Sequence, residues 1–235
     1  MSTALVFFHR FYSVHEFSAH DKMEVAISCL FLACKVEETP KKIQSVLMSA
    51  KHVMEEQFVK SLGQAAFARE DAGRMQLGIQ LGVTLDVKSS DYCLLKDRIL
   101  LLERILLHTI SFDLDIVHPY KILVEEMKKF GNKFAAGGLW KSVGDKKKIH
   151  LQEVAQLSIC LVNDTYMTTL CLTFPPDVIA RCAIVLALNL LKVQIVDKKS
   201  WTEVLNVDDQ DLIIVAKFLN ALRSSDYCDI LNIKK

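Results

Sequence analysis

A chain of 235 residues has room for one large core or for two bundles of about a hundred residues each. Its 29 basic and 28 acidic side chains leave a net charge of +1, which supplies no general field for an anionic membrane or a nucleic-acid backbone and so disfavours non-specific DNA binding. About half the residues are hydrophobic while only 8 are glycine and 4 proline, a balance that predicts a nearly all-α fold.

The first predicted helix is the apolar, aromatic run Thr3 to Phe11. Asp21 can cap the second, from Met23 to about Glu38. Apolar side chains cover nearly the whole circumference of that helix, the pattern of a helix surrounded by others. Thr39-Pro40 ends it, because the residue before proline is pushed out of the α region, and a more amphipathic helix runs from Lys41 to about Glu56. Residues 57–90 hold Gly63, Gly73, Gly78 and Gly82 with weak periodicity and read as a long insertion. The Gly73 to Gly78 spacing lacks the Lys-Ser/Thr of a phosphate loop and has no strand before it.

A helix from about Asp91 to Ile110 comes next, and one charge in it stands out. At about 100° per residue, Ile99, Leu106, Leu107 and Ile110 all fall within roughly 60° of Glu103, whereas Arg104 and His108 lie opposite. A carboxylate on an apolar face needs a partner, inside the fold or outside it. His118-Pro119 opens a further helix to about Phe130, and residues 131–148, with Gly137-Gly138 and Lys146-Lys147-Lys148, read as a linker. Helices from Ile149 to about Thr168, from Pro176 to Lys192, near Trp201, and from Asp209 to Ser224 complete the set. Asp208 and its acidic neighbours read as the cap of the last helix.

No apolar run reaches the roughly 18 residues of a membrane span, and no secretory leader is evident. Seven scattered cysteines form no CxxC pair and fit a reducing compartment. No histidine stands at ligand spacing from a cysteine or a second histidine, so neither a metal nor another cofactor is expected, and no nucleophile is set with a histidine and carboxylate for catalysis.

An internal repeat runs through the chain. Val25 to Lys35 aligns without gaps on Ile179 to Asn189, sharing Ala26/Ala180, Leu32/Leu186 and Ala33/Ala187. Small residues at matching places would let neighbouring helices approach closely in two copies of one bundle. Lys35 of the first copy becomes Asn189 in the second, and Glu103 falls opposite Ala216 when the long late helices are superposed. Both unusual charges belong to the first copy.

These residues carry a resemblance to the cyclins, and specifically to the transcriptional group of cyclins T, K and L. The segment Phe7-Phe-His-Arg-Phe-Tyr12 followed by Cys29-Leu-Phe-Leu-Ala-Cys-Lys-Val-Glu-Glu-Thr-Pro-Lys-Lys42 is similar to the K and T pattern, as are Leu102 to Leu114, His118-Pro119-Tyr120 and Phe174 to Ala180. The resemblance implies two tandem five-helix cyclin boxes, with the first box at 1–130, the linker at 131–148, the second box at 149–226 and a tail at 227–235. It further implies a nuclear regulatory subunit that forms a heterodimer with a transcriptional cyclin-dependent kinase and supports phosphorylation of the RNA polymerase II C-terminal repeats, doing no chemistry itself. By motif matching, Lys35 and Glu103 would hold the kinase's regulatory helix, with Leu32, Val36, Leu107 and Phe112 as apolar contacts and Glu37 in the acidic pair beside the lysine. Lys35 could equally be a cation complementing its helix dipole, or Glu103 an internal partner that joins two helices.

The alternative is a cyclin-box scaffold similar to the general transcription factor B family, contacting DNA or polymerase without a kinase; a salt-dependent DNA shift separates the two. Against the family pattern, the first box is expected to lack a helix, because Met1 falls inside the segment matching the family's second helix. Such a gap would leave apolar surface uncovered on the Phe7 and Phe11 side and on the central helix, unless the 57–90 insertion folds back over it.

Overall fold

The computed structural model describes residues 1–53, 89–135, 140–142, 151–195 and 201–224. In chain order the elements are α1 (Ser2–Tyr12), α2 (Lys22–Val36), α3 (described over 43–53), α4 (Ser90–Thr109), α5 (Pro119–Ala135), β1 (Trp140–Ser142), α6 (Leu151–Thr165), α7 (Leu170–Thr173), α8 (Pro176–Leu190), β2 (Val193–Ile195), α9 (Trp201–Leu205) and α10 (Asp209–Ser224). They form two compact units, one reaching Leu114 and the other starting at Asp115.

In the first unit α2 is the central helix. Its start is set by Asp21, whose carboxylate accepts from the backbone N–H of Met23 and Glu24 at 3.0 Å. Its end is a Schellman turn: Glu38 takes a left-handed φ of 53°, its N–H reaches the Lys35 carbonyl at 3.2 Å, and the Thr39 N–H reaches that of Cys34 at 2.9 Å. Ile27 and Phe31 of α2, Val46 and Leu47 of α3, and Tyr92 and Ile99 of α4 share one buried cluster. Three cross-links join α2 to α4. Glu24 pairs with Arg98 at 2.7 Å, Ser28 Oγ lies 3.3 Å from the Ile99 carbonyl, and Lys35 meets Glu103. Residue numbers rise together along these links, so the two helices run in the same general direction.

In the second unit α8 is central, with Ala180, Cys182, Ile184, Ala187 and Leu188 fully buried. Helices α5, α6 and α10 pack on it. Tyr120 donates to Asn163 Oδ1 at 2.6 Å and His118 Nδ1 lies 2.8 Å from the Tyr166 hydroxyl, tying the start of α5 to the end of α6. Trp201 donates its indole N–H to the Val193 carbonyl at 2.8 Å, anchoring α9. Asp208 accepts from the Gln210 N–H at 2.9 Å and caps α10, as its acidic run suggested.

The repeat appears directly in the geometry. Helices α2 and α8 are both 15 residues long, and the sequence alignment brings Lys22 onto Pro176 and Val36 onto Leu190. Glu38 and Lys192, which the same register superposes, both adopt φ of 53°. The pairing of Glu103 with Ala216 also fits, because the preceding Leu102 and Val215 are buried, as are Leu106 and Leu219.

Three expectations need correction. The boundary falls after Leu114 rather than at 130, because α5 turns its apolar stripe, Leu123 and Met127 one turn apart, to a unit built from α6 and α8. The linker is not wholly irregular: β1 pairs antiparallel with β2, Trp140 opposite Ile195 and Ser142 opposite Val193, so the all-α fold carries one small two-stranded sheet. Phe7 and Phe11 are fully buried, although an uncovered face had been expected there. On the central helix α2, where open apolar surface was also expected, Leu30 is 42% exposed while its repeat equivalent Ile184 is fully buried. The insertion predicted at 57–90 lies, up to residue 88, outside the described residues.

Burial pushes the thiols of Cys29 and Cys182 up from 9.0 to about 12, with the Asp211 carboxylate adding to the effect at Cys182. In the unfolded chain both would ionise near 9, so the folded state holds their protons more tightly and loses stability as pH rises from about 9 toward 12. Thermal melts between pH 8 and 11 should therefore shift to lower temperature. At neutral pH iodoacetamide should label the exposed Cys93 and Cys160 and spare Cys29 and Cys182 until the chain unfolds, as peptide mass mapping would show.

Candidate functional site

Glu103 lies on the buried face of α4 with Ile99, Leu102, Leu106 and Ile110, and only 7% of it is exposed. Lys35 is one residue short of the end of α2, and its Nζ donates to Glu103 Oε1 at 2.6 Å. Among the described residues this is the only hydrogen bond to the Glu103 carboxylate. The ammonium also lies 4.2 Å from the centroid of the Phe31 ring, one turn earlier on α2. The two helices thus hold the lysine from two sides, and Phe31 itself is fixed in the shared core.

The two side chains differ in exposure, 45% for Lys35 and 10% for Glu103. Lysine has three N–H donors and the carboxylate occupies one of them, which leaves capacity for a further acceptor on the exposed side. The exposed half of this pair is a donor. Glu103 compensates and aims it, so that an internal ion pair and a solvent-exposed donor coexist in the same contact.

The other expected contacts scatter in depth. Val36 and Leu107 are half-buried and line the surface next to the pair, while Phe112 is 59% exposed just beyond the end of α4. Leu32 is 4% exposed and belongs to the core, so it can support the surface but offers almost no area to a partner. Glu37 is exposed, and its carboxylate accepts a hydrogen bond from the buried Thr3 of α1, which ties it to its own fold. Phe31 was missed as a member, although a ring four residues before a lysine on a helix is a readable cation–π spacing. Arg10 and Asp113, whose pairing closes over the end of α4, were missed because nothing local connects residues so far apart in the chain.

No group of three histidine, cysteine or acidic side chains placed to hold a metal occurs among the described residues. No described helix is long and apolar enough to cross a membrane. An open cleft of about 410 Å³ in the second unit is lined by Val178, Arg181, Asn206, Val207, Asp208 and Asp211. Its one cation, Arg181, is already paired with Asp177 at 3.5 Å, and the cleft holds none of the residues expected to contact a kinase.

A lysine–glutamate pair bridging the central helix of one bundle to its last helix, in a chain that repeats the bundle, defines a class. Residues 1–115 match the family described as cyclin, N-terminal domain, and the chain belongs to the cyclin family. Within the family its likeness runs to the K and T types. It is 33% identical to human cyclin-K over 202 residues, covering 86% of this chain and 27% of that one. It is 34% identical to cyclin-T1-3 of Oryza sativa subsp. japonica over 214 residues, covering 90% and 36%. The chain thus spans about a third of the length of these relatives. In fold it is similar to a chain in the structure of the CAK complex from Chaetomium thermophilum bound to ATP-γ-S, with a TM-score of 0.51 and 19% identity over 94% of this chain and 53% of that chain.

Proposed function

We propose that this chain is the regulatory subunit of a cyclin-dependent kinase and docks on it through the surface around Lys35. The observation that carries the reading is the Lys35–Glu103 pair, a nearly buried carboxylate presenting a half-exposed ammonium at 2.6 Å. An ammonium so placed can donate to free backbone carbonyls at a helix end or loop of the partner. Val36, Leu107 and Phe112 supply apolar area around it, a polar centre within an apolar patch. The chain would act by stabilising the kinase conformation in which the kinase's own catalytic groups are aligned, and would contribute no reacting group.

The likeness to the K and T types supports a transcriptional kinase as the partner, the RNA polymerase II C-terminal repeats as its substrate, and a nuclear location. Near-neutral net charge supports docking on protein rather than on nucleic acid. Co-purifying the chain with a panel of cyclin-dependent kinases tests this, followed by assay on peptides bearing the polymerase heptad repeat. Capture of a transcriptional kinase with stimulated heptad phosphorylation is expected. Capture of cell-cycle kinases alone would overturn the transcriptional assignment, and capture of none would overturn the kinase reading.

A further inference from the structure

Two consecutive residues after α4, Ser111 and Phe112, take left-handed φ values of 53° and 58°. For a side chain as bulky as phenylalanine that conformation is an outlier, and glycine would be the ordinary choice. The turn is bonded along its own backbone: the N–H groups of Ser111 and Phe112 donate to the carbonyls of His108 and Leu107 at 3.0 and 2.9 Å. It presents a phenylalanine that is 59% exposed.

The turn is also gripped on both flanks from α1 and the residues just after it. On the far side, Arg10 Nη1 donates at 3.1 Å both to the carboxylate and to the backbone carbonyl of Asp113. On the near side, His15 Nε2 lies 2.8 Å from Thr109 Oγ1. That hydroxyl spends its single proton on the Ile105 carbonyl at 2.9 Å, so the imidazole is the donor to Thr109. The two grips fall on either side of the strained pair, on Asp113 directly after it and on Thr109 two residues before it.

We propose that Arg10 is a positioning residue for partner docking: with His15 it clamps the strained Ser111-Phe112 turn and fixes the direction in which Phe112 projects. The role in docking rests on the kinase reading above, whereas the clamp itself does not. An exposed aromatic free to swing would lose conformational freedom on binding, and holding it in place beforehand removes that cost. The pair Arg10–Asp113 is half open to solvent, so its effect is modest.

Two measurements on the full chain separate the parts. In hydrogen exchange, Arg10→Ala should speed exchange of the Phe112 amide about threefold to fivefold relative to the unaltered chain, Asp113→Asn less, since it keeps the carbonyl acceptor, and Arg10→Lys least. An unchanged Phe112 amide in Arg10→Ala would overturn the clamp, showing that the backbone bonds suffice alone. In kinase titrations, Arg10→Ala should weaken binding by a similar factor, and the loss should vanish when Phe112 is already alanine. A loss of equal size in the Phe112→Ala background would overturn positioning in favour of direct contact by Arg10. Failure of the unaltered chain to bind any cyclin-dependent kinase would overturn the docking role together with the kinase reading, and the exchange result would still decide the clamp.

Discussion

Ile184→Ala should destabilise the second unit by about 2–5 kcal/mol, while Leu30→Ala at the repeat-equivalent place in the first unit should cost less than about 1 kcal/mol. The alignment superposes the two residues, on helices of equal length with matching ends. Their surroundings differ: Ile184 is fully buried in a bundle where α5, α6 and α10 all pack on α8, whereas Leu30 is 42% exposed. Truncation at Ile184 leaves a cavity with lost contacts on every side, while truncation at Leu30 removes surface already partly in water. Urea unfolding followed by circular dichroism measures the two losses. Equal losses would mean that the face of α2 bearing Leu30 is as closely packed as its counterpart.

The second large effect concerns the ion pair, and it is asymmetric. Lys35→Ala should destabilise the chain by about 3 kcal/mol, because it strands the carboxylate of Glu103, only 10% of whose side chain is exposed, without its hydrogen-bond donor. Glu103→Gln should cost about 1 kcal/mol, because the amide still accepts from Lys35 and the half-exposed ammonium regains water. Thermal melts of the two variants would show the order. The reverse order would mean that the lysine, not the carboxylate, is the strained member of the pair. Either substitution also perturbs the aim of the ammonium, so both should weaken kinase binding, Lys35→Ala more than Glu103→Gln.

Much of this site was legible because it breaks a pattern. A carboxylate among Ile99, Leu106 and Ile110 is visible in a helical projection, and the repeat shows that the fold can be built without it, since its counterpart is Ala216. The partner lysine was legible for the same reason, as the charged member of an otherwise matched pair with Asn189. Depth was not legible. Leu32 and Val36 sit one turn apart on α2, yet one is core and the other half-buried, and helical periodicity does not say how far along a helix its neighbours cover it. The assignment of α5 failed for a similar reason. Its apolar stripe shows that it packs on something, but only tertiary structure shows that the something follows it in the chain. The β1–β2 pair, three residues on each strand, is too short to display a period of two.

Exchanging the charges, Lys35→Glu with Glu103→Lys, separates fold from docking, since the intramolecular pair can re-form while the outward donor is replaced by an acceptor. Isothermal titration of a cyclin-dependent kinase captured by the unaltered chain should show affinity falling on the order of a hundredfold for the exchanged variant, with its melting temperature restored above that of Lys35→Ala. Undiminished affinity in a folded, charge-exchanged chain would contradict the proposal that the kinase reads the ammonium of Lys35.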